Sequence, residues 1–259
     1  MITQITEIVR EASLLMKKDI EDISQKGNAS NYVTSADIAV QDFLYEKLRA
    51  LLPGSGFIGE EGDAAFQTAE YTWVIDPIDG TSNFIRDLGL SVISVALLKD
   101  NAPYIGVVYF PYRDEMYYAK AGKGAFMNGK PIHVSDRDYA HSHLCSAMSL
   151  YDKRHASACF RIIEKVYDEC DDLRRLGTAA LELSYLAAGR VELYFEIRIF
   201  PWDAAAAALL IQEAGGYVEF LFHDSLPLDG PFGVIAANTK ENFKKLRATV
   251  YGELKEKPF

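Results

Sequence analysis

The residues of this chain best suited to chemistry are carboxylates set against apolar sequence, and they fall in three segments. These are Gly59-Glu60-Glu61, the run Trp73-Val74-Ile75-Asp76-Pro77-Ile78-Asp79-Gly80-Thr81-Ser82-Asn83-Phe84, and Pro201-Trp202-Asp203 at the head of an alanine-rich stretch. A charge beside buried sequence is costly unless something compensates it, so a cation is expected to gather these acids. None of the segments contains Cys or His. An all-oxygen ligand set suits a hard ion, Mg²⁺ or Mn²⁺, better than Zn²⁺, which makes metal-assisted phosphate chemistry the leading expectation.

Local chemistry supports convergence. Pro77 holds Asp76 out of the α region, and Gly80 allows a tight turn, so the carboxylates of Asp76 and Asp79 can face one spot. Thr81 to Phe84 reads as a short helix whose first N–H groups can hold phosphate oxygens. Each feature has a commonplace alternative when taken alone. Asp-Pro-x-Asp-Gly is often a plain turn, Glu60-Glu61 a solvated pair, and Asp203 a helix cap or dipole partner. Three element ends each carrying an acid are harder to explain separately, and four carboxylates can serve two divalent ions if Asp76 bridges.

The elements that must position these residues are legible from periodicity. Ile5, Ile8, Val9, Ala12, Leu15, Met16 and Ile20 recur at three- and four-residue steps, predicting an amphipathic helix over the first twenty-odd residues. A second helix is predicted from about Ala36 to Leu52, with Thr34 and Ser35 as capping candidates and Pro53-Gly54 as its stop. Asp37 then lies in a first helical turn, where the helix dipole tolerates negative charge. Strands are predicted at Phe57-Ile58, Trp73 to Ile75, Ser91 to Leu98, Ile105 to Phe110 and Met116 to Ala119, with turn material at Asn101, Pro111 to Asp114 and Gly122 to Gly124. The short turns imply an antiparallel sheet.

After about Pro131 strands and helices alternate: strand Leu144 to Met148, helix Ala156 to Tyr167, strand Leu173 to Leu176, helix Thr178 to Ala188 and strand Val191 to Phe195. Helix Trp202 to Ala214 closes at Gly215-Gly216, and strands near Tyr217 to Phe220 and Val234 to Ala237 precede a last helix from Thr239. The expectation is two closely packed halves, residues 1–130 carrying most metal ligands and 131–259 carrying substrate contacts and the last ligand, with α/β layering in the second.

Composition narrows the function classes. A net charge of −10 over 259 residues disfavours a nucleic-acid backbone as direct partner, whereas bound metal ions can reverse the potential of an acidic cleft and admit a phosphate ester. Cys145, Cys159 and Cys170 are odd in number and widely spaced, fitting neither a disulfide framework nor a metal knuckle. There is no leader-like N-terminus or membrane-length apolar run, so a soluble cytoplasmic protein without membrane contact is expected. His133, His141, His143, His155 and His223 fall outside the acidic segments, and His141-Ser142-His143 reads as a solvated turn in preference to a pair on one strand face.

The motifs resemble the inositol monophosphatase family of Mg²⁺-dependent, lithium-sensitive phosphatases. The resemblance rests on Gly59-Glu60-Glu61, on Ile75 to Phe84, and on Trp202-Asp203 followed ten residues later by Glu213-Ala214-Gly215-Gly216. Lys26, Val33-Thr34-Ser35-Ala36-Asp37 and Gly177-Thr178-Ala179-Ala180 align in the same order. It implies a layered α-β-α-β-α sandwich and a homodimer, and a small phosphorylated substrate, with inositol 1-phosphate the first candidate. Fructose 1,6-bisphosphatase, 3′-phosphoadenosine 5′-phosphate phosphatase, histidinol phosphatase and NADP(H) phosphatase share the metal core, and some bacterial relatives act instead as protein-binding regulators of transcription.

By the same resemblance, Glu60, Asp76 and the Ile78 carbonyl would hold one ion, Asp76, Asp79 and Asp203 a second, and a looser third would lie near Glu60. Thr81, hydrogen-bonded to Asp37, would orient the attacking water, and the N–H groups of Gly80 and Thr81 would contact phosphate. Gly177, Thr178, Ala179 and Glu196 match positions that touch the alcohol part of the substrate. Two departures stand out: Asn31 replaces a common acid, and Ile197-Arg198-Ile199-Phe200-Pro201 replaces small or polar residues near the substrate mouth. Arg198 either reads a second anionic group on a bisphosphate or pairs with Glu192 or Glu196.

Overall fold

The structure, a computed structural model, describes residues 1–16, 23–25, 32–61, 68–148 and 153–254. Ile20, Lys26 and Asn31 lie outside the described residues. The chain begins with helix α1 (Ile2–Ser13), then a short antiparallel pair β1 (Ile23–Gln25) and β2 (Tyr32–Thr34), and helix α2 (Ser35–Leu51). A seven-stranded sheet follows in sequence order. It comprises β3 (Gly56–Gly59), β4 (Tyr71–Asp79), β5 (Val92–Lys99), β6 (Ala102–Phe110), β7 (Glu115–Lys120), β8 (Ala125–Met127) and β9 (Lys130–Ile132). The short helix α3 (Thr81–Ile85) lies between β4 and β5.

The second half contributes β10 (His143–Ala147), α4 (Ala156–Tyr167), β11 (Asp172–Arg174), α5 (Ala179–Ala187), β12 (Leu193–Ile199), α6 (Pro201–Glu213), β13 (Tyr217–Leu221), β14 (Phe232–Ala237) and α7 (Lys240–Glu253). Its five strands run in the order β11-β10-β12-β14-β13, parallel across the first three and antiparallel beyond. Helices α1 and α2 cover one face of the large sheet. Helices α5 and α6 fill the space between the sheets, and α4 and α7 cover the far face of the small one. The fold is therefore the α-β-α-β-α sandwich implied by the motifs.

Period-two alternation builds these layers. On β5, Val92, Ala96 and Leu98 face the central layer while Ile93, Val95 and Leu97 face α1 and α2. Helix α6 is apolar all round: Ala204 to Ala208, Leu209, Leu210 and Ile211 are all buried, as expected of a helix enclosed on both sides. Its alanines let it approach the large sheet closely, and Gly106 on β6 is a point of close approach. A Cβ there would lie 2.5 Å from the Ala206 carbonyl oxygen and 3.0 Å from its Cα.

Four features differ from the periodicity reading. The β3–β4 pair is parallel, an arrangement that a tight hairpin between the two strands could not produce. A two-residue hairpin joins β8 to β9 through Asn128 and Gly129, both with positive φ, where Gly122 to Gly124 had been the last turn signal. Strand β12 continues through Ile199 rather than ending at Phe195, carrying Glu196 and Arg198 within it. Helix α1 ends at Ser13.

Because the obstruction at Gly106 is backbone, a neighbouring side chain cannot rotate away from it. Gly106→Ala should destabilise by about 1–3 kcal/mol, lowering the melting temperature by roughly 2–4 °C per kcal/mol. An unchanged melting temperature in calorimetry would show that the helix and sheet can separate at no cost.

Candidate active site

Both sheets end at one cleft, and an irregularity at each edge aims residues into it. On β4 the pairing with β5 shifts register between Asp76 and Asp79. Strict alternation would send these two side chains to opposite faces; the bulge, placed where Pro77 has no N–H to give the ladder, brings both to the cleft. The Ile78 N–H donates to Asp76 Oδ1 at 3.0 Å, fixing that carboxylate on its own turn. Gly80 follows at φ +89°. A Cβ there would lie 2.5 Å from Thr178 Oγ1 and 2.9 Å from the Leu90 carbonyl, so the turn can pass between these groups only as glycine.

Asp37 and Asp203 occupy equivalent places on two helices. Asp37 completes a capping box with Thr34 on α2, accepting from the Thr34 N–H at 2.7 Å through Oδ2, while Oδ1 accepts from the Thr81 hydroxyl at 3.3 Å. The same hydroxyl lies 3.1 Å from the Ile78 carbonyl. Asp203, in the first turn of α6, accepts from the Phe200 N–H at 2.7 Å through Oδ2. The helix start is pinned to the large sheet by Ser94, whose hydroxyl donates to the Trp202 carbonyl at 3.1 Å. Capping and clustering are thus compatible duties for these acids.

The result is a group of carboxylates from Asp76, Asp79 and Asp203 whose candidate ligand atoms all lie within 4.8 Å of one another. Glu60 and Ile78 line the same cleft, as do Gly80, Thr81, Gly177, Thr178, Ala179, Glu196 and Arg198. Asp37 stands behind Thr81, fully buried. Glu60 faces the cleft without belonging to the tight aspartate group. Glu61 turns inward, its backbone N–H and carbonyl held by the Gln41 amide at 3.0 and 2.7 Å, which fixes the strand end that carries Glu60.

Electrostatically the cluster is unstable without a cation. Burial first, then the charges of Glu60, Asp79, Asp203 and Asp37, push the Asp76 carboxyl well above its ordinary range. Burial raises Asp79 to about 8 despite the Ala180 N–H, which donates to it at 2.7 Å. Asp203 also rises to about 8, from burial and then from Asp79. Glu196 is raised by burial even though the Tyr194 hydroxyl donates to it at 2.6 Å. Acids that resist ionisation when empty, presenting oxygen ligands at close quarters, fit a hard divalent ion.

The far wall is tied to the same turn. Asn83 donates to the carbonyls of Leu90 and Leu176 at 2.9 and 2.7 Å, and the Thr178 hydroxyl donates to Leu90 at 2.7 Å. Buried Glu182 accepts from the N–H groups of Leu176 and, at 3.2 Å, Gly177. Tyr32 and Arg175 also line the cleft. Sequence reasoning passed over both; for Arg175 the available signal was its position two residues before Gly177.

A profile of the inositol monophosphatase family matches residues 1–255, in keeping with this arrangement of acids. The chain belongs to the inositol monophosphatase family. Among relatives, it is 36% identical over 255 residues to the Nus factor SuhB of Escherichia coli strain K12, covering 95% of this chain and 94% of that one. It is 38% identical over 219 residues to inositol monophosphatase 3 of Solanum lycopersicum, covering 82% and 80%. Among solved structures, an IMPase of Thermotoga maritima superposes with a TM-score of 0.84 at 29% identity, covering 96% of each chain. Among the described residues of this family member no helix is long and apolar enough to cross a membrane.

The raised carboxyls carry a sign that can be measured. Asp79 and Asp203 hold protons in the folded, metal-free chain up to about pH 8, whereas the unfolded chain releases them near the ordinary aspartate value of 3.8. Their contribution to stability therefore falls as pH rises from about 4 to about 8. In chelator, Asp79→Asn should gain stability relative to the native protein as pH rises from 5 to 8. Magnesium should raise the native melting temperature more at pH 8 than at pH 5. A pH-independent difference between the two proteins in thermal melts would contradict the clustering.

Proposed function

We propose that this chain hydrolyses small phosphate monoesters with magnesium, inositol 1-phosphate being the first candidate. The observation that carries the reading is the convergence of Asp76, Asp79 and Asp203 within 4.8 Å at a cleft, in a chain that belongs to a phosphatase family. Asp76, Asp79 and Asp203 would hold one ion. Glu60, Asp76 and the Ile78 carbonyl would hold another, with a looser third near Glu60, and Mn²⁺ could substitute. Ions so held supply Lewis acidity and a hydroxide-like nucleophile at neutral pH, removing the need for a protein nucleophile.

In this reading the chain's own groups orient the reactants. Thr81 gives its proton to Asp37 or to the Ile78 carbonyl, so its oxygen is left as an acceptor that can hold a water in line with the phosphoryl group. Asp37 is positioned for this by the capping box of α2. The N–H groups of Gly80 and Thr81 would meet phosphate oxygens. Gly177, Thr178, Ala179 and Glu196 would bound the alcohol, with Glu196 steadied by Tyr194. Homodimerisation and lithium sensitivity are carried over from the family as parts of the proposal.

A second reading comes from the relative named Nus factor SuhB: a protein-binding role in transcription to which hydrolysis is incidental. The complete acidic set favours hydrolysis. Phosphate release from inositol 1-phosphate should require Mg²⁺ and be inhibited by millimolar Li⁺. It should fall about 10³-fold or more in Asp79→Asn and about 10²-fold in Thr81→Ala, the sizes typical of lost electrostatic and orienting groups. Undiminished release from Asp79→Asn would end the hydrolytic assignment.

A further inference from the structure

The far wall of the cleft is a ribbon of backbone gripped from two sides. Between β11 and α5 the chain passes through Leu176 and Gly177, the latter at φ +76°, before Thr178 and Ala179 complete the lining. From the turn after β4, the Asn83 amide donates to the carbonyls of Leu176 at 2.7 Å and Gly177 at 3.3 Å. From α5, Glu182 Oε1 accepts from the N–H groups of the same two residues, at 3.2 Å for Gly177. Each residue thus has both its N–H and its carbonyl engaged by a side chain, as a strand would be engaged by its neighbours.

Glu182 is fully buried on α5 between the apolar Leu181 and Leu183, yet its bonds do nothing for that helix. A capping acid serves the N–H groups of the first helical turn. Here the Ala180 N–H goes to Asp79 at 2.7 Å, and the two N–H groups that Glu182 takes lie ahead of the helix start at Ala179. A carboxyl in such surroundings is costly, and its Oε2 has no hydrogen-bond partner among the described residues. Burial raises it to about 7 despite the two N–H groups and Arg175. What the side chain supplies is one acceptor oxygen with the reach to hold the ribbon.

Resting on the hydrolytic reading, in which Gly177, Thr178 and Ala179 bound the alcohol, we propose that Glu182 is a positioning residue for substrate selection: without touching substrate, it holds the Leu176–Gly177 ribbon against Asn83 and so sets where a polyol is recognised. The phosphoryl group is addressed elsewhere, by the acidic cluster and the turn at Gly80. The bonds of Thr178 to Leu90 and of Ala180 to Asp79 do not involve Glu182, so that turn and that cluster keep their own supports. Loss of the clamp therefore loosens discrimination among alcohols, because a displaced wall leaves polar groups unpaired against the substrate hydroxyls. Chemistry at phosphorus is spared.

The test separates reach from charge. Glu182→Gln keeps an acceptor oxygen at the same reach and loses the charge, Glu182→Asp keeps the charge and falls short, and Glu182→Leu has neither. With Mg²⁺, inositol 1-phosphate is compared with 4-nitrophenyl phosphate, which offers the wall no hydroxyl. The Asp and Leu variants should lose about tenfold in kcat/KM on inositol 1-phosphate, mainly through KM, and stay within about twofold of native on the aryl ester. The Gln variant should match the native protein on both. Equal losses on the two esters, or a Gln variant that fails where Asp succeeds, would overturn the proposal. If the Leu variant does not fold, the contrast of Gln with Asp carries the test. Calorimetric binding of inositol 1-phosphate in Ca²⁺ reads the clamp without turnover. A native protein that hydrolyses neither ester, yet binds inositol 1-phosphate about tenfold more tightly than its Asp variant does, would remove the hydrolytic reading and keep the clamp. Hydrolysis of both esters with native and Asp proteins indistinguishable would do the reverse.

Discussion

Mutual repulsion among buried carboxylates is the constraint around which this molecule is arranged. Asp76, Asp79 and Asp203 are brought within 4.8 Å in surroundings that resist their ionisation, a state that folding alone would avoid. The scaffold sustains it by giving each acid a backbone donor: Ile78 for Asp76, Ala180 for Asp79, Phe200 for Asp203. These bonds offset part of the desolvation and restrict rotation of each carboxylate. What is left uncompensated is a demand for positive charge, which is the property that turns a cluster of acids into a receptor for hard cations.

The central layer makes this arrangement possible. Asp76 and Asp79 belong to the large sheet, while Asp203 enters on α6, enclosed between the sheets. The run of alanines on α6, matched by Gly106, removes the bulk that would hold the helix away from the large sheet. A small-residue surface here serves distance rather than propensity alone, because a lengthened separation would carry Asp203 away from its partners. The bond from Ser94 to the Trp202 carbonyl fixes the helix at the end that matters for the site.

Much of this was legible in the order of residues. The acidic motifs, the turn chemistry of Pro77 and Gly80, the start of α2 beside the capping candidates Thr34 and Ser35, and the bounds of α4 follow from local rules, and the structure keeps them. What local rules do not fix is pairing and reach. The parallel partnership of β3 with β4 depends on where a connection returns, and the continuation of β12 through Ile199 depends on β14 being available as a partner. Those two facts decide which side chains line the cleft, so Arg198 could be suspected as a departure from the family pattern but not placed, and Arg175 was not suspected. The β8–β9 hairpin was a different omission: Asn128-Gly129 is a strong local signal that was passed over. The alanine helix α6 shows a further limit, since a segment buried on every side has no polar face to reveal its orientation.

The bond between Thr178 and Leu90, and those from Asn83 to Leu90 and Leu176, lace the turn after β4 to the loop before α5. With Ala180 joined to Asp79, the two halves of the chain share a seam running beside the acids. One hydrophobic cluster likewise draws on both sheets and on the helices between them, so neither sheet alone is competent. Competence arises only when the seam closes, which makes cation uptake a late reporter of tertiary docking rather than of secondary structure.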